Sequence, residues 1–247
     1  MKFPTLNFLI SPQRDLEVFK GFLKSADFFD NETYLEKGFF DLYPALEDVI
    51  KSEDGNQFPE KEVFNFVKNI YKKEKGIGQR VDDIKGEWIK IEELFFKKTD
   101  KIFKGHGWPE GNYFAYATIW GIYPRYLESK EFTFPYSTTD NDALRVVMHE
   151  MLHFIFYDYA LKKHPERFEN LDTRRGLFWD LSEIFNAVIL YNPIFIELHG
   201  KEKLSKNSIH PEHEKHLEFF KNLWEEERDI DTWLTKGYEY YNNMDKS

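Results

Sequence analysis

The feature that most constrains the fold is a helical stretch whose middle is almost entirely apolar. Hydroxyl and acidic side chains at residues 137–142 predict the start of this helix, and it should end at Lys163, before Pro165. Between residues 146 and 156, only two histidines and one glutamate interrupt the apolar side chains. A helix that is apolar on nearly all sides has to be buried, so the rest of the chain must cover it.

The polar residues of this helix are His149, Glu150 and His153. Residues four apart on a helix project from the same face, so both imidazoles can bind one metal ion. Glu150 projects about 100° around the helix from His149 and can reach a water without binding the metal itself. This is the H-E-x-x-H pattern of zinc peptidases. The alternative is a pair of hydrogen-bonded core histidines with a surface glutamate.

Composition limits the kinds of site and partner. The chain has 247 residues and no cysteine, so a transition-metal site must use histidine and carboxylate ligands. The net charge of -10 and the absence of a long basic stretch argue against nucleic acid as a partner. No apolar run approaches the roughly 18 residues of a membrane span, and the N-terminus lacks a signal-peptide pattern. We therefore expect a cytoplasmic protein with no membrane partner; its oligomeric state stays open.

Hydrophobic periodicity predicts a mostly helical α+β fold with a small sheet. Helical patterns cover residues 12–24, 32–51, 60–74, 78–104, 177–191, 211–228 and 230–243, and strand patterns cover 5–10, 112–120 and 130–136. Because Pro135 cannot donate to a strand ladder, the last of these strands should lie at a sheet edge. We expect two parts: residues 1–163, with the sheet and the motif helix, and residues 164–247, a C-terminal helical subdomain.

The segment Val147–Ile155, which contains both histidines and the glutamate, resembles the extended metallopeptidase signature of the zincin superfamily. The resemblance implies a zincin-like fold, a bound Zn²⁺ and a peptide or protein substrate. It also implies hydrolysis by a zinc-activated water with Glu150 as general base. The metzincin branch has a glycine and a third histidine where this chain has Phe156 and Tyr159, so that branch is excluded. The gluzincin branch instead takes its third ligand from a glutamate on a later helix.

Glu183 is the predicted third ligand, which places that ligand in the C-terminal subdomain. The motif helix runs about 15 Å beyond His153, and a returning helix needs a similar length to bring a side chain back. Glu183 lies about 10 Å into the predicted helix 177–191 and is the only glutamate there. The alternatives that remain open are Glu166, Glu169, Asp172 and Asp180. Many gluzincins carry an acid where this chain has Ala187, so Asp180 or Asn186 is expected to orient a histidine instead.

Peptide hydrolysis also needs a hydrogen-bond donor for the developing oxyanion, which in this superfamily is usually a tyrosine or a histidine. The candidates are His199, His210, His213, His216, Tyr191, Tyr238, Tyr240 and Tyr241. We select His210, which stands just before a predicted helix. Two alternatives for the histidines of 210–216 are an independent metal site and a solvated helix face.

Two other classes of protein compete with a zinc metallopeptidase. One is a zincin-like metal-binding protein without peptidase activity, in a regulatory or structural role. The other is an all-helical interaction protein without metal. If the chain is a peptidase, an extended substrate could pair with the strand at 130–136 by β-addition; otherwise this strand is simply the last of a small sheet.

Overall fold

The computed structural model describes residues 3–24, 35–51, 58–200 and 211–244. This part of the chain is mostly helical and contains one mixed sheet of four strands, which agrees with the predicted α+β class. None of the described helices is long and apolar enough to cross a membrane by itself. Two of them, Leu177–Leu190 and Pro193–His199, have the required length and composition only when they are taken together, and the pair is bent by 78°. Such a bent pair is weak evidence for a membrane span.

The contacts of the chain separate into two compact units. The first comprises residues 1–4, 88–111 and 147–247, and the second comprises residues 5–87 and 112–146. The division that the sequence predicted, residues 1–163 and 164–247, stays a prediction.

The second unit holds the sheet and the N-terminal helices. Its strands are β1 (Leu6–Ile10), β2 (Tyr113–Thr118), β3 (Arg125–Tyr126) and β4 (Glu131–Pro135). Its helical elements are α1 (Pro12–Lys24), a π-helical turn (Glu36–Phe40), α2 (Pro44–Lys51), α3 (Glu60–Lys73) and the beginnings of α4 (Ile77–Ile102) and α5 (Asp140–Lys163). Hydroxyl groups cap two of these helices: Ser11 Oγ accepts from the Arg14 N–H at 3.1 Å, and in the predicted cap of α5 Thr139 Oγ1 accepts from the Asp142 N–H at 3.3 Å.

The order of the sheet corrects the predicted position of β4. The strands lie in the order β1-β2-β4-β3, so β4 is an inner strand and not an edge strand. It pairs in parallel with β2 and antiparallel with β3, which covers only Glu131 and Phe132. The N–H of Thr133 donates to the carbonyl oxygen of Pro124 at 3.1 Å. The nitrogen of Pro135, two residues later, faces the same side of the strand but lies beyond the end of β3. No ladder hydrogen bond is needed from it there, so an inner strand can contain this proline.

A buried carboxylate joins α1, α3 and β2 within the second unit. Asp15 is 1% exposed and accepts hydrogen bonds from the hydroxyls of Thr118 and Tyr71, both at 2.6 Å, and from the N–H of Ile119 at 3.2 Å. Burial raises the pKa of Asp15, and these three hydrogen bonds lower it by less, which leaves the pKa at about 6.

The described residues of the first unit form the rest of α4 and α5 and five further helices. They are α6 (Pro165–Phe168), α7 (Leu177–Leu190), α8 (Pro193–His199), α9 (Pro211–Glu227) and α10 (Ile230–Met244). The helices α6 and α8 were not predicted; they occupy stretches that begin at a proline and are too short for a periodicity to be recognised. The core of this unit forms around α7, where the ring of Phe185 lies 5.0 Å from Phe156 and 5.3 Å from Trp233.

The helix α10 approaches α7 and α9 closely at Gly237. A Cβ atom at this position would lie 2.8 Å from Leu181 Cδ2 and 2.9 Å from Phe220 Cε1. The lack of a side chain at this glycine therefore allows three helices to pack around one point.

Candidate metal centre

The two histidines of the motif lie one turn apart on α5 and face each other. Their rings are 4.7 Å apart and nearly perpendicular, at 80°. His149 Nε2 lies 3.0 Å from His153 Nε2. His153 is fully buried, whereas the side chain of His149 is 16% exposed. The same nitrogen of each ring therefore points to one place, and His149 is the more exposed of the two residues.

Glu183 on α7 contacts both histidines. Its Oε2 lies 3.1 Å from His149 Nε2, and its Oε1 lies 3.3 Å from His153 Nε2. Burial raises the pKa of Glu183. The charges and hydrogen bonds of His153 and His149 lower it by a larger amount, so the pKa lies well below its ordinary value. The ionised form is the one in which a carboxylate binds a metal.

The donor atoms of His149, His153 and Glu183 fit a single metal ion. Two ligand atoms on a tetrahedral zinc with bonds of about 2.0 Å are about 3.3 Å apart, and the separations here are 3.0 to 3.3 Å. Hydrogen bonds alone explain this triangle poorly. A neutral imidazole nitrogen has either one proton or one lone pair in the ring plane, yet each Nε2 faces two partners. A cation at the centre would satisfy all three groups at once.

Two hydrogen bonds hold α7 against α5 on either side of this group. Asn186, one turn after Glu183, donates from Nδ2 to the carbonyl oxygen of His149 at 3.0 Å. Tyr157, one turn after His153, shares a hydrogen bond of 2.5 Å with Ser182 Oγ. The ring of Tyr157 also stacks on that of His153, with 5.9 Å between their centroids. These contacts fix both helices, so the donor atoms are held in place by packed secondary structure.

Glu150 lies next to the three convergent residues but is not one of them. Its Oε1 is 3.9 Å from His149 Nε2, and the residue is only 4% exposed. At this site, ligand atoms of His149, His153 and Glu183 all lie within 4.8 Å of one another, and Glu150 does not belong to this set. Glu150 is therefore a buried carboxylate beside the group, whereas the alternative interpretation of a core histidine pair expected it at the surface.

Three of the acids considered as alternative third ligands contact other residues. Glu166 forms an ion pair with Arg167, and Asp172 Oδ1 accepts from the N–H of Arg174 at 2.8 Å. Asp180 Oδ1 lies 2.9 Å from His213 Nε2, so Asp180 orients that histidine and not one in the motif. The fourth, Glu169, is exposed. Of the two residues expected to orient a motif histidine, Asn186 makes contact, but through the main chain of His149.

The predicted oxyanion donor, His210, lies outside the described residues. Among the other candidates, His199 Nε2 donates to the carbonyl oxygen of Leu190 at 2.8 Å, and His216 Nδ1 lies 3.0 Å from the Tyr240 hydroxyl.

Sequence reasoning missed the hydrogen bond between Tyr157 and Ser182. The helical spacing from His153 to Tyr157 could have suggested it, because a residue four positions along lies on the same face.

No family model, no curated protein and no solved structure matches this chain. The relation to the zincin superfamily and the identity of the metal therefore stay predictions, supported by the motif and by the arrangement of the site residues.

Proposed function

We propose that this protein is a zinc-dependent hydrolase of the zincin kind, with a gluzincin-like ligand set, and that it cleaves peptide bonds. The observation that carries this proposal is the convergence of two imidazole nitrogens and one carboxylate at separations of 3.0 to 3.3 Å. A buried acid, Glu150, adjoins this group. Three protein ligands that leave a fourth position open are typical of catalytic rather than structural zinc.

In this proposal, His149 and His153 would hold the ion through Nε2, and Glu183 would hold it through its carboxylate. Bound Zn²⁺ supplies Lewis-acid chemistry: it lowers the pKa of a water to about 7 and polarises a carbonyl group. The negative charge of Glu183 offsets part of the positive charge of the ion. The burial of His153 restricts the movement of its ring, which favours a preorganised site.

Glu150 acts as the general base. Its carboxylate accepts a proton from the attacking water and passes this proton to the leaving amine when the peptide bond breaks. Few waters surround a carboxylate that is 4% exposed, so the proton stays close to the reacting groups. The substrate in this proposal is a peptide or a protein, and His210 remains the proposed donor to the oxyanion.

The variant Glu150→Gln tests this function. It keeps the size of the side chain and leaves the three metal ligands unchanged, so it should retain one equivalent of zinc. It should also lose at least about 100-fold in hydrolysis of a broad peptide library, because removal of a general base typically has an effect of this size. Zinc is measured by elemental analysis and cleavage by mass spectrometry. Glu169→Gln, an exposed glutamate in the same unit, is the matched control and should retain both properties.

Two results would contradict the proposal. If the wild-type protein holds zinc but cleaves no peptide in the library, it is a metal-binding protein without peptidase activity. If it holds no metal when purified and binds no added Zn²⁺, the interpretation as an interaction protein replaces the proposal.

A further inference from the structure

A second group of potential ligands lies at the contact of α7 with α9. Asp180 precedes Glu183 by one turn on α7, and its Oδ1 lies 2.9 Å from His213 Nε2 in the first turn of α9. The carboxylate of Glu212 is also close. One ligand atom from each of Asp180, Glu212 and His213 lies within 4.8 Å of the other two. None of these three residues belongs to the candidate metal centre.

The surroundings of this group combine a buried histidine with partly accessible acids. His213 is 2% exposed, and its ring lies 5.1 Å from that of Trp179. The side chain of Asp180 is 22% exposed, and Glu212 is exposed. An ion at this place would therefore have its histidine ligand fixed by packing, while an open side lets water complete its coordination.

A histidine–aspartate hydrogen bond does not explain the whole arrangement. It accounts for the contact of Asp180 with His213, but it does not account for a second carboxylate brought within 4.8 Å of the first. Two carboxylates at such a distance repel each other unless a proton or a cation lies between them. Among the described residues, no lysine or arginine forms an ion pair with either acid. A divalent cation would remove the repulsion and use the imidazole at the same time.

Tyr241 on α10 interacts electrostatically with Asp180 and Glu212. Its hydroxyl oxygen is buried and has no hydrogen-bond partner among the described residues. Burial raises the pKa of Tyr241, and electrostatic interaction with Asp180, Tyr240 and Glu212 raises it further. Buried polar groups nearly always have a partner. A water bound to an ion held by Asp180 and Glu212 would supply one.

We propose that Asp180, Glu212 and His213 form a second metal site, which binds a divalent cation and fastens the first turn of α9 to α7. One imidazole and two carboxylates suit Zn²⁺ and related transition metals better than Ca²⁺ or Mg²⁺, which prefer oxygen ligands only. The site does not depend on the proposed hydrolase activity. Its effect is structural, because it holds α7 at Asp180, one helical turn before Glu183.

The test is a titration of the metal-free full-length protein with Zn²⁺, followed by calorimetry and by elemental analysis after gel filtration. Wild type should bind two equivalents. Glu212→Gln changes an exposed side chain and should not disturb folding, and Asp180→Asn keeps the size of its side chain. Each should lose one equivalent or bind it at least about 100-fold more weakly. Glu214→Gln, which alters an exposed acid in the same turn of α9, is the control and should bind two equivalents.

The variant His149→Ala separates this site from the candidate metal centre. It should lose the other equivalent and keep the one that Glu212→Gln removes. The second site is refuted if wild type binds one equivalent that only His149→Ala removes, or if Glu212→Gln and Asp180→Asn bind zinc as Glu214→Gln does. If wild type binds one equivalent that Glu212→Gln and Asp180→Asn remove but His149→Ala retains, the second site stands and the proposed centre fails. Binding of no zinc refutes both.

Discussion

Asn186 Nδ2 donates a hydrogen bond of 3.0 Å to the main-chain carbonyl oxygen of His149. This contact joins α7, the helix of the proposed ligand Glu183, directly to His149, another proposed ligand. Asn186 is fully buried and lies one turn after Glu183. The position of Glu183 relative to the motif therefore depends on Asn186, which is not itself a proposed ligand.

Asn186→Ala should weaken both the fold and the binding of metal. The loss of a buried hydrogen bond should lower the free energy of unfolding by about 1–3 kcal/mol. The loss of this support should lower zinc affinity by about 10-fold, at the lower end of what such supporting residues contribute. Chemical denaturation and competition with a chromophoric chelator measure the two effects. Asn170→Ala, an exposed asparagine in the same unit, should change neither. Unchanged zinc affinity in a destabilised Asn186→Ala would limit the role of Asn186 to folding.

Glu183→Gln should bind zinc at least about 100-fold more weakly than wild type, because an amide is a much poorer ligand than a carboxylate. The substitution preserves volume, so a loss of affinity would not reflect a cavity. Equilibrium competition for Zn²⁺ gives the affinity, and Glu169→Gln is the matched control. Equal affinities for Glu183→Gln and Glu169→Gln would exclude Glu183 as a ligand.

Asp15 should make the protein less stable as the pH rises from about 4 to 6. Its pKa is about 6 in the folded protein, above the ordinary value of 3.8 for a solvated aspartate, so the folded state binds the proton more tightly. Stability from this group is therefore fully present below pH 3.8 and lost as the pH rises to about 6, by about 3 kcal/mol in total. Asp15→Asn should lack this loss.

Urea denaturation between pH 4 and pH 7 measures this difference. The stability of Asp15→Asn relative to wild type should increase with pH over that range, whereas the exposed Asp82→Asn should run parallel to wild type. A constant difference between Asp15→Asn and wild type would show that the Asp15 carboxyl titrates at the same pH in the folded and unfolded states.

Two glycine-to-alanine variants should have effects of opposite sign. Gly237→Ala should destabilise the protein by about 1–3 kcal/mol, because its methyl group would overlap Leu181 and Phe220. Gly86→Ala in α4 should stabilise it by up to about 1 kcal/mol, because its methyl group meets no atom within 4 Å and alanine favours a helix. Thermal unfolding measures both, and a stabilising Gly237→Ala would contradict the close packing of α10.

Local sequence patterns predicted most of the regular structure. The motif helix was expected to end at Lys163, and α5 ends there. The helix predicted at 177–191 corresponds to α7, Leu177–Leu190. Both depend on capping residues, prolines and a 3.6-residue period, which act over a few residues. The inner position of β4 was missed, because Pro135 shows only that one N–H is absent and not which strand lies beside it.

The contrast between Asp180 and Glu183 shows where local patterns stop. The two acids lie one turn apart on α7, and sequence reasoning left both open as the third ligand. In the structure, Glu183 contacts the two motif histidines, whereas Asp180 contacts His213 on α9. The two acids differ by about 60° around the axis of α7, so the way the helix packs decides which acid reaches which histidine.

The sequence by itself determined that His149 and His153 share a helix face with Glu150 beside them, because the period of a helix is set by its own backbone hydrogen bonds. It also determined that a metal site must use histidines and carboxylates, since the chain has no cysteine. Only the tertiary structure decided that Glu183 completes this group and that Asp180, Glu212 and His213 gather in another. These contacts join residues far apart in the chain, and the burial of apolar faces between helices brings them together.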